Sequence, residues 1–387
     1  MRQSFTVKTL FGLEQVLADE LQAMGLDNIE IKNRACLFEG TLDDAIRVNL
    51  KSRLALKVLT PMFEFEAFNE VELYKGIEQF DWEHLISPQQ TMAVDAIVKS
   101  SFFNHSKYVA LKTKDAIVDK IRKVKGRRPD VNPETPDIQI TVTVNENKIY
   151  VANDLTGIPL YKRGYRQHTG VAPMNEVLAA GLIDLSGWDG QKAFYDGMCG
   201  SGTLLTEAAI KKGNIAPNLE RTYFCFKHHK AFDPTRFEEI KSELSQQRKP
   251  IDGGIYGSDL SSTMIRLAQK NIESLGVDSD IDLIRRSIQK AGPPPVEPGV
   301  LIINPPYGER LAPSDINELY KTIGDTFKQQ FAGWEAWLIS SDEEAVKHVG
   351  LRPERRISLF NGSLPCKFLK YTLYTGTKKL HKQADLV

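Results

Sequence analysis

Cysteine is scarce in this chain, and long apolar runs are missing. The four cysteines are scattered with no Cys-x-x-Cys pair, which argues against a disulfide scaffold and a structural zinc site. His228 and His229 lack acidic or cysteine partners at ligand spacing, so no metal site is predicted. No stretch reaches the roughly 20 apolar residues that a membrane span needs. Lys8 and Glu14 also interrupt any signal-peptide core, and we therefore predict a soluble, cytoplasmic protein.

The chain also has no formal net charge, because 50 lysines and arginines balance 50 aspartates and glutamates. A nucleic-acid partner would have to be held by a local basic patch. Residues 105–130 contain nine lysines and arginines against three aspartates, and Arg163 and Arg166 flank Tyr165, an arrangement suited to unpaired nucleotides. The alternative is a solvated helix face. The predicted RNA contacts are Lys114, Lys120, Arg122, Lys123, Lys125, Arg127, Arg128, Arg163, Tyr165 and Arg166.

The length of 387 residues predicts two or three domains. Residues 1–58 show strand–helix–strand–strand–helix order, with the second helix over 43–56, and residues 59–160 add a strand, a helix over 114–125 and two further strands. From residue 161, short apolar strands alternate with helices, which predicts a mostly parallel, doubly wound sheet ending in an antiparallel hairpin. Its candidate strands are 193–196, 254–259, 300–304, 335–340, 355–360 and 367–374.

A glycine-rich turn lies between the first of these strands and the following helix. Residues 195–205 read Tyr-Asp-Gly-Met-Cys-Gly-Ser-Gly-Thr-Leu-Leu, so the strand ends in Asp196. Glycines allow a sharp turn and close approach to a ligand, and a helix N-terminus can receive a negative group. The spacing matches neither the dinucleotide fingerprint nor a phosphate loop. The alternative is a plain strand-to-helix turn.

Asp259 ends the next candidate strand. In nucleotide-binding folds an acid at this place accepts both ribose hydroxyls, although an acid here can also simply cap the next helix.

The third motif is Asn304-Pro305-Pro306-Tyr307, which follows the apolar strand 300–303. Proline fixes the backbone, so the Asn304 amide oxygen and the Pro305 carbonyl form two rigid acceptors that suit the two hydrogens of an exocyclic amine. Such bonds would localise the nitrogen lone pair toward a methyl donor, and the Tyr307 ring could stack on the base. The alternative is a Pro-Pro loop cap.

The three motifs, in this order, resemble those of class I S-adenosylmethionine-dependent methyltransferases. Asn-Pro-Pro-Tyr is similar to the subset that modifies adenine N6 or guanine N2. Further segments resemble the bacterial THUMP-domain RNA methyltransferases, and specifically the N-terminal half of RlmL, the 23S rRNA guanine-N2 methyltransferase. These segments are 114–119, 128–131, 162–166, 170–176 and 360–371.

The resemblance implies a Rossmann-like α/β methyltransferase domain over 161–387, preceded by α+β ferredoxin-like (1–58) and THUMP RNA-binding (59–160) domains. It also implies S-adenosyl-L-methionine as cofactor and large-subunit rRNA, or a precursor ribosomal particle, as partner. Ser287 or an arginine stands where the family commonly has an adenine-binding acid, and Asn175 stands where a lysine is common. The implied catalytic residues are Asn304, Pro305 and Tyr307, and the implied cofactor-binding residues are Asp196, Gly197, Cys199, Gly200, Ser201, Asp259, Leu260 and Asn304.

Two other functions fit the same sequence. An adenine-N6 methyltransferase acting on DNA or RNA shares the Asn-Pro-Pro-Tyr motif, although no DNA-reading motif is visible. A non-catalytic RNA-binding assembly factor could have kept the fold, although the intact motif argues against that.

Overall fold

The computed structural model describes residues 2–165, 174–277, 280–306 and 313–374, without the side chains of residues 313 and 314. The chain forms two compact units. The N-terminal unit comprises Met1–Thr9, Leu17–Leu160 and Asn218–Glu243, and the C-terminal unit comprises Leu10–Val16, Tyr161–Pro217 and Leu244–Val387.

One sheet runs through the described part of the N-terminal unit, in the order β2-β3-β1-β4-β8-β7-β5-β6. Its pairs are antiparallel except for β5, which is parallel to β7 and β6. The strands are β1 (Gln3–Lys8), β2 (Glu30–Lys32), β3 (Ala35–Gly40), β4 (Lys57–Glu66), β5 (Thr91–Lys99), β6 (Asp130–Val131), β7 (Ile138–Asn145) and β8 (Lys148–Asp154). The domain boundary predicted after residue 58 falls inside β4 of this continuous sheet. That boundary stays a prediction.

The first four helices of the chain are α1 (Glu14–Ala23), α2 (Leu42–Lys51), α3 (Glu70–Glu78) and α4 (Ser106–Lys125). Helix α2 ends five residues before the predicted position, because the Ser52 hydroxyl accepts hydrogen bonds from the Leu54 and Ala55 amides and turns the chain. Helix α4 begins eight residues before the predicted one. No strand or helix was predicted at the positions of β4 and α3.

The described part of the C-terminal unit contains a sheet of order β11-β10-β9-β12-β13-β15-β14. The first five strands are parallel, and β15 and β14 form an antiparallel hairpin. This confirms the predicted doubly wound sheet and its final hairpin. The strands are β9 (Phe194–Asp196), β10 (Ile255–Asp259), β11 (Ile281–Arg285), β12 (Val300–Ile303), β13 (Glu335–Ser340), β14 (Arg355–Asn361) and β15 (Leu364–Thr372).

The order of these strands determines where a ligand can bind. The chain moves outward from β9 to β10 and β11, and then returns to the other side of β9 with β12 and β13. In open α/β sheets, ligands bind at the carboxyl ends of the strands beside such a switch point. The helices of the C-terminal unit are α5 (Glu176–Leu185), α6 (Thr203–Lys212), α8 (Ser262–Glu273), α9 (Ile288–Ala291), α10 (Pro313–Gln330) and α11 (Glu343–Lys347). Helix α7 (Pro234–Gln246) lies mostly in the N-terminal unit.

In the part of the chain that the structure describes, no helix has the length and apolar character needed to cross a membrane. The same residues hold no group of three His, Cys, Asp or Glu side chains able to bind a metal ion.

Candidate functional site

A cavity of about 570 Å³ opens at the carboxyl ends of β9, β10 and β12 in the C-terminal unit. This volume lies within the range of small-molecule sites. The three motifs meet here because the carboxyl ends of parallel strands share one edge of the sheet. All eight predicted cofactor-binding residues line the cavity, namely Asp196, Gly197, Cys199, Gly200, Ser201, Asp259, Leu260 and Asn304.

The glycine-rich turn forms one wall of the cavity. Gly200 and Gly202 have φ angles of +52° and +84°, a region that favours glycine. A Cβ built on Gly200 would meet nothing within 4 Å, so its backbone faces open space where a ligand can approach. A Cβ on Gly197 would lie 2.5 Å from the Ile288 Cδ1 atom, which explains the first glycine by packing.

Asp196 is buried at the end of β9, with 2% of its surface exposed. Burial is the main cause that raises the pKa of its carboxyl group to about 8. The hydrogen bond from the Met198 amide opposes this shift, and the nearby charge of Asp259 adds to it. That bond, to Asp196 Oδ1, is 3.1 Å long. A cationic ligand group would favour the ionised form, so the carboxyl group is suited to a positively charged group.

Asp259 links the second motif to the first. Its Oδ2 atom accepts a hydrogen bond of 3.0 Å from the Gly200 amide, and its Oδ1 atom accepts one of 2.8 Å from the Ser261 amide. The side chain therefore stabilises the turn before α8 and lines the cavity at the same time. Each carboxylate oxygen can accept a further bond, which leaves capacity for ribose hydroxyls.

Asn304 follows β12, and its Oδ1 atom is buried without a hydrogen-bond partner in the described residues. Buried polar groups are nearly always paired, so an unpaired acceptor on a cavity wall indicates a place for a donor from a ligand. Pro305 is buried and Pro306 lines the cavity. Tyr307 lies outside the described residues, and its role stays a prediction.

Much of the cavity wall consists of residues that were not predicted as contacts. Ser287 and Ile288 follow β11 and line the cavity, while Asn175 caps α5 by accepting hydrogen bonds from the Val177 and Leu178 amides. Four further lining residues belong to the quoted motifs but were not predicted as contacts, namely Met198, Thr203, Leu204 and Pro306. The remaining lining residues belong to no motif, because they face the cavity from helices and loops that only the tertiary fold brings together. They are Met174, Met264, Gln289, Leu319 and Thr322.

Cys199 lies in the wall without the features of a nucleophile. Its side chain is buried, and burial raises the pKa of the thiol well above its ordinary value. The protonated thiol is a poor nucleophile, which agrees with a packing role.

Two predicted RNA contacts need correction. The Arg163 side chain is 1% exposed and pairs with Glu207, and the Tyr165 hydroxyl donates a 2.7 Å hydrogen bond to the same carboxylate. A buried carboxylate requires such partners, and Glu207 lies on α6. The prediction that Arg163 and Tyr165 contact RNA is therefore wrong, and Arg166 lies outside the described residues.

The remaining basic residues lie on α4 and the loop after it. Lys114 forms an ion pair of 2.6 Å with Asp115, and Arg122 forms one of 2.8 Å with Asp119. Lys120 is half-buried. We call the exposed cations at the end of α4 the basic segment, and they are Arg122, Lys123, Lys125, Arg127 and Arg128.

Comparisons with known proteins agree with this architecture. Residues 163–370 match the family model of the RMKL-like methyltransferase domain. Residues 4–59 match the RlmL ferredoxin-like domain, and residues 67–154 match the THUMP domain.

Two relatives are similar over most of the chain. A Synechocystis protein named as an RNA methyltransferase, slr0064, is 37% identical over 94% of this chain and 95% of its own length. The ribosomal RNA large subunit methyltransferase K/L of Psychromonas ingrahamii is 38% identical over 96% of this chain. The chain spans about half the length of that second relative, 50%.

Two solved structures share the fold over nearly the whole chain. SMU.472, described as a methyltransferase complexed with SAH, is 29% identical with a TM-score of 0.85, and the match covers 97% of this chain and 99% of that one. A Listeria monocytogenes protein described as an N6-adenine-specific DNA methylase is 26% identical with a TM-score of 0.83, covering 97% of each chain. Given the family model across most of the C-terminal unit and relatives above 30% identity, this chain belongs to the RMKL-like methyltransferase family, with ferredoxin-like and THUMP domains before the methyltransferase domain.

Proposed function

We propose that this protein is an S-adenosyl-L-methionine-dependent RNA N-methyltransferase that forms N2-methylguanosine in 23S ribosomal RNA. The observation that carries the proposal is the buried Oδ1 atom of Asn304 on the cavity wall, which has no hydrogen-bond partner among the described residues. This oxygen can accept a hydrogen bond, and the exocyclic amine of a base can donate one.

S-adenosyl-L-methionine is the cofactor, and it supplies the methyl group. The cavity residues fit its chemistry from both ends. Asp196 suits the positively charged methionine end, the open space beside Gly200 admits close contact with the backbone, and Asp259 has acceptor capacity left for the ribose. The raised pKa of the Asp196 carboxyl group supports this orientation, because a cationic ligand would offset the cost of ionising a buried acid.

The chain's own residues would act by positioning. Asn304 would accept a hydrogen bond from the target amine, with the Pro305 carbonyl as second acceptor and the Tyr307 ring stacked on the base. Positive charge develops on the amine nitrogen during transfer, so the bond to Asn304 strengthens in the transition state. The base has to leave its stack to reach the cavity.

The RNA substrate is supported by the THUMP match over residues 67–154 and by the names of the relatives. Guanine N2 follows from the resemblance to RlmL, and a precursor ribosomal particle is an alternative to naked rRNA. The cytoplasmic location predicted from the sequence goes with such a substrate and stays a prediction.

An adenine-N6 methyltransferase is the second candidate, since the Listeria structure carries that description and Asn-Pro-Pro-Tyr suits both amines. The N-terminal basic residues and the THUMP match favour RNA over DNA. The Asn304 acceptor, which finds no partner in the described part of the chain, argues against a non-catalytic assembly factor.

The test is nucleoside mass spectrometry after transfer of a labelled methyl group. The full chain would be incubated with rRNA from a deletion strain and, in parallel, with unmethylated DNA. Labelled N2-methylguanosine from 23S rRNA is expected, and the Asn304→Ala variant should lose it. Labelled N6-methyladenosine from RNA, or labelled N6-methyl-2′-deoxyadenosine from DNA, would identify the second candidate. Cofactor binding with no labelled nucleoside would favour the assembly factor.

A further inference from the structure

We propose that Phe68 and Phe102, here called the aromatic pair, form a stacking platform for an unpaired RNA base in the N-terminal unit. The inference rests on the RNA substrate proposed above and concerns a site separate from the cavity. Both residues lie within the THUMP match, residues 67–154.

The aromatic pair is exposed although each ring is large and apolar. Phe68 is 49% exposed and Phe102 is 48% exposed. Their ring centroids lie 5.2 Å apart at an interplanar angle of 89°, so the edge of one ring meets the face of the other. This contact restrains both rings while leaving about half of their surface open.

The backbone that presents Phe102 is fixed by hydrogen bonds. The Ser100 hydroxyl accepts bonds from the Phe102 and Phe103 amides, at 3.0 and 3.2 Å. The Ser101 amide and hydroxyl both donate to Glu146 Oε2, at 3.1 and 2.8 Å. Phe103 is 4% exposed and anchors the turn in the core, so Phe102 projects from a rigid support.

Phe68 has a similar support at the start of α3. The preceding Ala67 is buried, and its amide donates a 2.9 Å bond to the Asn147 carbonyl. The Glu72 carboxylate accepts bonds from the Phe68 amide and the Asn69 side chain, at 2.9 and 2.7 Å. Both rings are therefore held in place before any ligand binds, which lowers the entropy cost of binding.

Charges of both signs surround the aromatic pair. The carboxylates of Glu72 and Glu146 hold the two backbones, and the segment that carries Phe102 supplies the cations. Residues 99–112 contain three lysines, one histidine and no acid, and Lys99, His105 and Lys107 are exposed. The Glu70 carboxylate nearby accepts a 2.6 Å bond from the Tyr108 hydroxyl. Exposed rings beside cations are how proteins bind unpaired nucleotides, because every base has a face to stack.

The first test measures binding of a labelled, unpaired oligoadenylate and of a blunt RNA duplex to the full chain. Phe68→Ala and Phe102→Ala should each weaken oligoadenylate binding by about 5- to 150-fold, the usual value of one stacked base. Phe102→Trp should keep the affinity. Duplex binding should not change, and Tyr150→Ala, which removes an exposed ring from β8, is the matched control.

Salt dependence separates stacking from phosphate contact. The pair variants should keep the wild-type slope of log affinity against log salt, whereas Arg127→Ala with Arg128→Ala should lower it by about 1 per lost phosphate contact. A changed slope in the pair variants would mean that the loop binds phosphates and that the rings do not stack.

The Phe102→Trp variant gives an independent readout. The four natural tryptophans are all at most 2% exposed, so an added exposed indole can be distinguished by its emission. Oligoadenylate should quench it. Absent quenching, unchanged affinity in Phe102→Ala, or a wild-type chain that does not bind oligoadenylate would each overturn the proposal.

A protein partner is the competing occupant of the aromatic pair. Self-association of the wild-type chain that is lost in Phe102→Ala, seen by sedimentation, would assign the pair to a second copy and overturn the RNA platform. The proposed function fails by a different result, namely no methylated nucleoside in any RNA, and that outcome leaves oligoadenylate binding unaffected.

Discussion

At the scale of single residues, the polar groups of the cavity differ in how many hydrogen bonds they make within the protein. Asp259 uses both oxygens within the protein, and Asp196 accepts one amide bond. The Oδ1 atom of Asn304 has no partner among the described residues. We therefore expect the chemistry to depend most on Asn304, and we expect the two acids to order the turn and the cofactor.

Asn304→Ala should reduce the rate of methyl transfer by about 10²–10³, because one preorganised acceptor for the developing charge is lost. Cofactor affinity should fall far less than the rate does, although Asn304 is also a predicted cofactor contact. Single-turnover kinetics with saturating S-adenosyl-L-methionine would measure the rate. The control is Gln289→Ala, which removes another amide from the cavity wall. Transfer at the wild-type rate in Asn304→Ala would mean that the amine is held elsewhere.

The raised pKa of Asp196, about 8, predicts pH-dependent cofactor binding. Below about pH 8 the free carboxyl group holds a proton that a cationic ligand displaces, so affinity should rise up to about tenfold per pH unit between about pH 6 and 7.5. Calorimetry in buffers of different ionisation enthalpy would detect the released proton. Asp196→Asn should abolish both effects, and a pH-independent wild-type affinity would contradict the prediction.

The raised pKa of Asp196 also makes the stability of the ligand-free protein depend on pH. Cofactor affinity rises with pH, whereas this contribution to stability falls. The folded state binds this proton more tightly than the unfolded state does, so the contribution of Asp196 is fully present below the ordinary pKa of 3.8. It is lost as the pH rises toward about 8.

At the scale of elements, helix α6 connects the glycine-rich turn to the chain before α5. Its first residues Thr203 and Leu204 line the cavity. One turn later, Glu207 binds Arg163 and Tyr165. The helix therefore faces the cavity at its start and carries a buried charge cluster in its interior.

Arg163→Ala should lower the free energy of unfolding by about 3–5 kcal/mol, because it removes the cation that faces a buried carboxylate. RNA affinity of the folded fraction and its salt slope should not change. Urea denaturation measures the stability, and Lys162→Ala at the neighbouring position is the control. An Arg163→Ala variant that is fully stable but binds RNA weakly would restore the original RNA assignment.

At the scale of the whole molecule, each of the two units contains segments that are not contiguous along the chain. Residues 10–16 belong to the C-terminal unit, and residues 218–243 belong to the N-terminal unit. In the C-terminal unit, Leu13 packs so closely on Gly181 that a Cβ there would lie 2.5 Å from its side chain. In the N-terminal unit, the Asn218 amide donates a 3.1 Å bond to the Leu50 carbonyl, and Arg221 donates to the carbonyls of Ile158 and Pro159.

A fragment that begins at residue 161, the predicted domain boundary, should therefore fold poorly and bind cofactor weakly. It lacks the buried Leu13 side chain, whose loss alone should cost about 2–5 kcal/mol, and it carries residues 218–243 without their own unit. Thermal unfolding and calorimetry of the fragment and of full-length Leu13→Ala provide the measurement. A fragment as stable as the C-terminal unit of the full chain would show that this exchange of segments is dispensable.

The sequence by itself determined the alternation of strands and helices in the second half of the chain and the three motifs at strand ends. These are local properties: a short apolar run predicts a buried strand, and residues such as Asp196, Asp259 and Asn304 at the ends of parallel strands must meet at one edge. The tertiary structure decided which residues far apart in sequence come into contact. Arg163 and Tyr165 had the pattern of an RNA contact. In the folded chain they are buried and bind the carboxylate of Glu207, which lies 44 and 42 residues away in sequence. Phe68 and Phe102 had no shared pattern, and folding placed them in contact, because packing brings together side chains that no local periodicity connects.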